Sequence, residues 1–353
     1  MRALSILLLL LTVGFSPVAE AKGGDVNLIN CSIFDSSGKL LKMYRAWLCA
    51  FFPNGKMLLG DGATLTFYDQ KMNIVWAKDM HVHGSITYSE ADDTALLQVS
   101  HVLPGDLRGD RLEVYDQEGK LIKHFNFTSK HAFKPQEFNY DRFMLPSRVK
   151  EEVHHVWSFY RIGRNRSKLP FLREGNYVVA DAFGVIYFLD SKLQKIVHTI
   201  HNHKLGISNL RDVQVTERGN LLAYNSGNVD AQGQPYSSLD EINPTTGKFI
   251  WRYIASPPTS FYGPSEGNVQ ELPNGNFLYS LVMDERKGKE RRHVPQEELE
   301  PWMLIQGGHQ SIEITRDGKE VWKMISHDDD LSGKPNVVKR QNLDKYFSRK
   351  KRY

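Results

Sequence analysis

The sequence predicts an all-β protein, a six-bladed β-propeller closed by pairing of its N- and C-terminal strands. Three observations carry that expectation. A hairpin recurs six times in which an apolar strand runs into Asp, Asn or Thr, crosses a short polar turn and leaves as a second apolar strand: Phe34-Asp35 to Leu41, Tyr68-Asp69 to Trp76, Tyr115-Asp116 to Ile122, Leu189-Asp190 to Val197, Ile242-Asn243 to Trp251 and Ile314-Thr315 to Trp322. Asp and Asn side chains bond their own backbone at turns and Gly supplies positive φ, as at Gly38-Lys39, Gly119-Lys120, Gly247-Lys248 and Gly318-Lys319. The later copies each follow a front hairpin of another kind, and front plus back makes a four-stranded blade. Finally, Trp76, Trp251 and Trp322 stand at one register just after the turn, which suits packing between blades better than binding.

Taken in order, the front hairpins are Trp47 to Leu59 turning at Pro53-Asn54-Gly55, Ile86 to Val99 turning near Asp92-Asp93, and Trp157 to Ile162 returning after Gly175-Asn176. Two more turn at Arg218-Gly219-Asn220 and at Pro273-Asn274-Gly275-Asn276. The unit at Phe34 lacks a front hairpin, and the stretch after His327, with Val337-Val338 as its best strand, is expected to supply it and close the ring. Insertions at 128–152 and 284–303 interrupt the pattern, the second being too charged for a core.

The chain of 353 residues carries a formal net charge of +4, much of it in the tail Arg349-Lys350-Lys351-Arg352. Such a run reads as a solvated tail, nothing resembles a nucleic-acid module, and no nucleic acid is expected as partner. Met1-Arg2, the apolar run Leu4 to Val13 and Ala19-Glu20-Ala21 read as a signal peptide over residues 1–21, leaving one propeller domain over 22–353. No later apolar stretch is long enough for a membrane helix, so a periplasmic or secreted location is expected. Export permits a Cys31–Cys49 disulfide, although two buried thiols would read the same. Asn30, Asn126 and Asn165 head Asn-x-Ser/Thr triplets, which matter only in a glycosylating host.

Histidines cluster ahead of front hairpins: His81 and His83 before Ile86, His154 and His155 before Trp157, His201 and His203 before Arg211-Asp212. Equivalent positions on successive blades converge at one mouth of a propeller. There histidine serves as base or nucleophile, or, with His81/His83 and His201/His203 each spaced to share a strand face, as metal ligand. No matching Cys or carboxylate set accompanies them, so neither metal nor cofactor is expected, and ordinary surface histidines would give the same pattern.

Phe261-Tyr262-Gly263-Pro264 leads through Gly267-Asn268-Val269-Gln270-Glu271-Leu272-Pro273-Asn274-Gly275-Asn276 to Gly318-Lys319-Glu320-Val321-Trp322. With Asp212-Val213-Gln214-Val215, Glu241-Ile242-Asn243-Pro244-Thr245-Thr246-Gly247-Lys248 and His155-Val156-Trp157-Ser158, this run resembles the bacterial arylsulfotransferases, exported six-bladed propeller enzymes. The likeness covers the chain from about His154 onward and rests mainly on blade-forming motifs. It implies transfer of a sulfuryl group from a phenolic sulfate ester to a phenol through a sulfurylated histidine. Carried over residue by residue, His155 is the motif histidine, His83 a second candidate, and Arg211 stands where the family has the His of His-Asp. Trp157 replaces an Asn, and Asn225-Ser226-Gly227-Asn228 lacks the arginine that usually follows. An arginine at 211 can grip a sulfate by paired N–H bonds but cannot accept a sulfuryl group. The competing reading is a non-catalytic envelope scaffold or binding protein, with protein partners at the rim and along 284–303. A quinone-dependent dehydrogenase would share the tryptophan turns but needs a calcium-binding set that the sequence lacks.

Overall fold

The computed structural model describes residues 25–342 apart from 128–154, 283–308, 327–338 and the short stretches 30, 35–39, 45, 47, 53, 61–62, 90, 104–106, 182–184, 206, 208–209 and 264–266. The segment 1–21 expected to be a signal peptide, both long insertions, Val337-Val338 and the basic tail lie outside the described residues. Near the N-terminus run β1 (Asp25–Ile29), β2 (Ser32–Phe34) and β3 (Leu40–Met43). Blade one is β4 (Leu48–Phe51), β5 (Met57–Gly60), β6 (Thr64–Tyr68) and β7 (Ile74–Asp79); blade two is β8 (Val82–Ser89), β9 (Thr94–Leu103), β10 (Leu107–Tyr115) and β11 (Leu121–Asn126). Blade three is β12 (Val156–Arg161), β13 (Tyr177–Asp181), β14 (Val185–Leu189) and β15 (Ile196–His201). Blade four is β16 (Leu210–Val215), β17 (Leu221–Val229), β18 (Pro235–Ile242) and β19 (Phe249–Tyr253). Blade five is β20 (Gly267–Glu271), β21 (Phe277–Val282), β22 (His309–Ile314) and β23 (Glu320–Ser326), and β24 (Lys339–Asn342) follows.

The back hairpins form for the reason their sequence gives. Asp69 Oδ1 accepts from the Lys71 and Asn73 amides at 2.8 Å each, Asp116 Oδ1 from Glu118 and Lys120, and Asp190 Oδ1 from Gln194 and Lys195. Asn243 holds Thr245 and Thr246 in the same way, and the Thr315 hydroxyl accepts from Lys319. Gly119, Gly247 and Gly318 take φ of 78°, 68° and 86°; in the two described copies without that glycine, Met72 and Leu193 take the left-handed position instead.

Blades pack face to face in succession, with the first strand of each innermost: β4 against β8, β8 against β12, β12 against β16 and β16 against β20. An apolar cluster fills each junction, for example Val178, Phe188, Leu210 and Leu221 between blades three and four. Trp76 and Trp251 close two junctions from outside, as expected. Trp251 stacks on Phe277 at 4.2 Å and donates its indole N–H to the Arg316 carbonyl of the next blade, while Trp76 reaches the Gln117 carbonyl. A Cβ on Gly119 would stand 2.8 Å from the Trp76 ring, so glycine here serves the junction as well as the turn.

Polar groups reinforce the junctions. The Val156 amide of blade three donates to Asp110 of blade two, Val213 of blade four to Ser158 Oγ at 3.2 Å, and Val269 of blade five to Asp212 Oδ2 at 3.0 Å. On the opposite face, the fully buried carboxylate of Glu241 accepts from Arg218 at 2.9 Å, from Asn220 at 2.7 Å and from Arg316. Burial pushes this carboxyl up, but the hydrogen bonds from Arg218, Asn220 and Arg316 outweigh it and hold the group below its ordinary 4.5. A depressed carboxyl stabilises the fold fully above its unfolded pKa and loses that contribution as pH falls through the folded value. Thermal melts of the parent and Glu241→Gln are therefore expected to differ most near pH 7 and to converge as pH drops below about 4.5; parallel curves from neutral to pH 3 would contradict this.

The chain ends meet in a further four-stranded sheet, ordered β24-β1-β2-β3, in which Val26 pairs with Gln341 and Leu28 with Lys339. The closing strand thus lies just beyond the pair of valines favoured by sequence. Cys31 and Cys49 are disulfide-bonded, Cα atoms 5.5 Å apart, and with Tyr44, Phe51 and Met57 they tie this sheet to blade one. Restricting the unfolded loop contributes about 3 kcal/mol. The expected count of six packed blades is corrected to five. The innermost strands of the five blades pack on one another in succession, whereas among the described residues no strand of the terminal sheet packs to that extent on a strand of any blade. The molecule is an all-β propeller, as expected, with the terminal sheet set beside blade one.

Candidate functional site

Near their starts, three consecutive innermost strands carry residues that their partner strands do not match. In β12, Val156 pairs with Asp181 and Ser158 with Ala180, leaving Trp157 as the extra residue. In β16, Leu210 pairs with Asn225 and Asp212 with Tyr224, leaving Arg211. In β8 the register jumps between Val82 and Ile86, an interval that contains His83. Innermost strands β4 and β20 run in unbroken register. A bulge bends its strand and re-aims the extra side chain, and two of the three residues selected from sequence sit in such bulges.

The re-aimed side chains of blades three and four meet. The Arg211 guanidinium carbon lies 4.1 Å from the centre of the Trp157 ring, and the half-buried His155 ring meets Trp157 edge-on at 4.6 Å. Arg211 is 7% exposed, and its Nε donates to Ser226 Oγ at 3.4 Å. Stacking uses the guanidinium face and leaves its N–H edge for in-plane hydrogen bonds, in a setting where a cation over indole is worth up to about 2 kcal/mol. Trp157 itself holds a buried indole N–H that no acceptor among the described residues meets.

Blade four supports this pair with polar residues where blade three is apolar. Strands β13 and β14 bury every position, mostly with Val, Ile, Tyr, Phe and Leu. Strands β17 and β18 instead bury Asn225, Ser226, Ser237, Ser238 and Asp240. Asn225 donates to Asp240 Oδ2 at 3.2 Å and to Asn228 Oδ1 at 3.3 Å, and Arg252 grips Asp240 through two bonds of 2.7 and 3.0 Å. Behind Arg211, the Tyr224 hydroxyl lies 3.2 Å from Ser237 Oγ; burial pushes this phenol up, and Ser237 and the Arg211 charge pull it back. A Cβ on Gly267 would stand 2.2 Å from the Tyr224 ring, so only glycine lets blade five approach this wall.

Of the residues chosen from sequence, His155 and Arg211 therefore converge on one indole, and the backbone of His83 occupies the corresponding bulge of blade two. The remaining histidines correct the expected convergence. His81 is exposed and precedes β8, His154 lies outside the described residues, and His201 ends the outermost strand β15 opposite Val185. His203 falls in the short 3-10 turn Asn202–Leu205, so neither spaced pair shares a strand face. Among the described residues no cluster of three His, Cys, Asp or Glu could hold a metal. Ser226, Asn225 and Asp240 were not selected; their signal is a polar run on strands whose blade-three counterparts are apolar. A separate open groove of about 500 Å³ between β11 and the Leu193–Ile196 turn lies on the outer rim, on other strands than the His155–Arg211 group.

No family model matches this chain, and no curated protein matches it. Among solved structures, a protein of unknown function from Bacteroides caccae superposes with a TM-score of 0.55 over 89% of this chain and 98% of its own, at 12% identity. The WD40 β-propeller domain of Doa1 gives 0.44 over 84% and 76% at 11% identity, and the β-propeller domain of Cps50 (Swd1) from Myceliophteria thermophila gives 0.42 over 85% and 89% at 11%. At such identity the likeness to the Bacteroides caccae protein carries the fold and nothing more.

Proposed function

We propose that the protein is an exported propeller of the arylsulfotransferase type, acting on phenolic sulfate esters at the mouth formed by the inner strands of blades two to four. The observation that carries this reading is the convergence of His155 and Arg211 on the two aspects of Trp157. An aryl sulfate offers a ring to stack and an oxyanion to bind. Arg211 would hold the sulfate oxygens and offset charge developing on the leaving phenolate. A ring nitrogen of His155 would attack sulfur as the bond to the aryl oxygen breaks and the phenolate departs with the electron pair. The acceptor phenol then takes the sulfuryl group from nitrogen, and its hydroxyl proton balances the phenolate released. The Cys31–Cys49 bridge supports an oxidising compartment and hence export.

The test is direct. Mature protein is incubated with 4-nitrophenyl sulfate and phenol, release of 4-nitrophenol is followed, and acceptor-free samples are quenched for peptide mapping of sulfuryl-His155. Acceptor-dependent release with label on His155 is expected; no release across several donors would remove the enzymatic reading.

A second reading, a protein-binding scaffold, is favoured by the outer strands. The residues just before the repeated tryptophans, Val75, Ile250 and Val321, are 48%, 50% and 48% exposed, and Ile122 and Val197 are exposed on the outer strands of blades two and three. Strand alternation turns each outward where its neighbour faces in, which sets branched apolar side chains at intervals around the rim.

A further inference from the structure

We infer that Trp157 is a specificity-determining residue, whose indole N–H donates to an oxygen of the bound ligand beside the Arg211 guanidinium. This rests on the proposed sulfate-ester site and adds to it what the ligand must present: an acceptor-only oxyanion, rather than a neutral hydroxyl or amine.

Burial strips a donor of its water, so one that no described residue meets still has a hydrogen bond to give, and a bound ligand can take it. Trp157 Nε1 is such a donor. Two of the repeated tryptophans show what a structural indole does in this fold, since Trp76 and Trp251 both hand their N–H to a carbonyl of the next blade. Trp157 differs in place as well as in bonding. It is the extra residue of an inner-strand bulge, its face covered by Arg211 at 4.1 Å and its edge met by His155 at 4.6 Å. This donor therefore sits within a described cluster that joins a guanidinium, an imidazole and an aromatic surface. A ligand oxygen bound there would receive a neutral and a cationic hydrogen bond together. An oxyanion gains from both, whereas a phenol hydroxyl, which must also place its own proton, gains less.

Trp157→Phe keeps an aromatic face for Arg211 and deletes only the donor. Calorimetric titration of the parent, Trp157→Phe and Arg211→Lys with phenyl sulfate and with phenol tests the inference, alongside thermal melts without ligand. The parent is expected to prefer phenyl sulfate. Trp157→Phe should weaken phenyl sulfate by about tenfold or more, leave phenol within about twofold, and melt no lower than the parent, because an unmet buried donor has been removed. Phenyl sulfate binding unchanged in Trp157→Phe but lost in Arg211→Lys would overturn the role of Trp157 and leave the site standing. A parent that binds neither compound would overturn the site and this inference together. A Trp157→Phe protein that melts several degrees lower while losing both compounds equally would assign Trp157 to packing and overturn it as well.

Discussion

Replacing Arg211 by alanine is expected to lower turnover of an aryl sulfate by about 10²- to 10³-fold, the loss seen when one preorganised donor is removed from developing charge. His155→Ala should abolish acceptor-dependent turnover, since no other described side chain at the mouth offers a nucleophilic nitrogen. The two variants separate by kind as well as by size. Arg211→Lys keeps the charge but loses the planar fork that stacks on Trp157, so it should recover only part of the alanine loss. Steady-state rates and circular dichroism on purified variants decide the matter: fully active Arg211→Ala and His155→Ala proteins would place the chemistry elsewhere. Folding should survive both changes, because Arg211 lies outside the matched ladder of β16 and His155 precedes β12.

The largest effect on stability is expected from Asp240→Ala, a loss of about 3–5 kcal/mol with a melting temperature lower by roughly 10 °C. Asp240 is fully buried between the two N–H bonds of Arg252 and the amide of Asn225. Removing the carboxylate takes one acceptor from the fully buried Asn225 amide and leaves Arg252, 26% exposed, without the counter-charge of Asp240. The gain on putting the charge back is not the energy of the pair itself, because most of the cost comes from what remains unpaired. Asp240→Ala combined with Arg252→Ala should accordingly fall well short of the two single losses added together. Denaturant melts of the four proteins test this, and a single-variant loss under about 1 kcal/mol would show that the pair is not anchoring blade four.

Much of this architecture was legible because it is written in turns. Asp69, Asp116, Asp190 and Asn243 each cap their own backbone, a local interaction that needs no knowledge of the rest of the chain. Trp76 and Trp251 were readable as junction residues because of their repetition at one register. Blade number was less legible, since Phe34 and Leu40 announce a hairpin but say nothing of which neighbour its sheet packs on. The site was legible in part. His155 and Arg211 stand at starts of strands, yet their meeting depends on bulges, and a bulge is a property of two strands in register that neither sequence carries alone. The buried donors and acceptors of Asn225, Ser226 and Asp240 were hidden by the same gap. Polar residues in a strand read as solvent-facing until the partner strand is known, and here they face each other.

The unmatched residues of β12 and β16 also bear on how this mouth can vary. Positions 157 and 211 are not counted by the ladder, whereas their neighbours Val156 and Val213 are fully enclosed and supply amides that the adjacent blades depend on. Exchanging the side chain at either unmatched position rewrites what the opening accepts without retuning the frame. A library randomised at 157 and 211 should yield mostly folded proteins with diverging ligand preferences, and one randomised at 156 and 213 mostly insoluble chains.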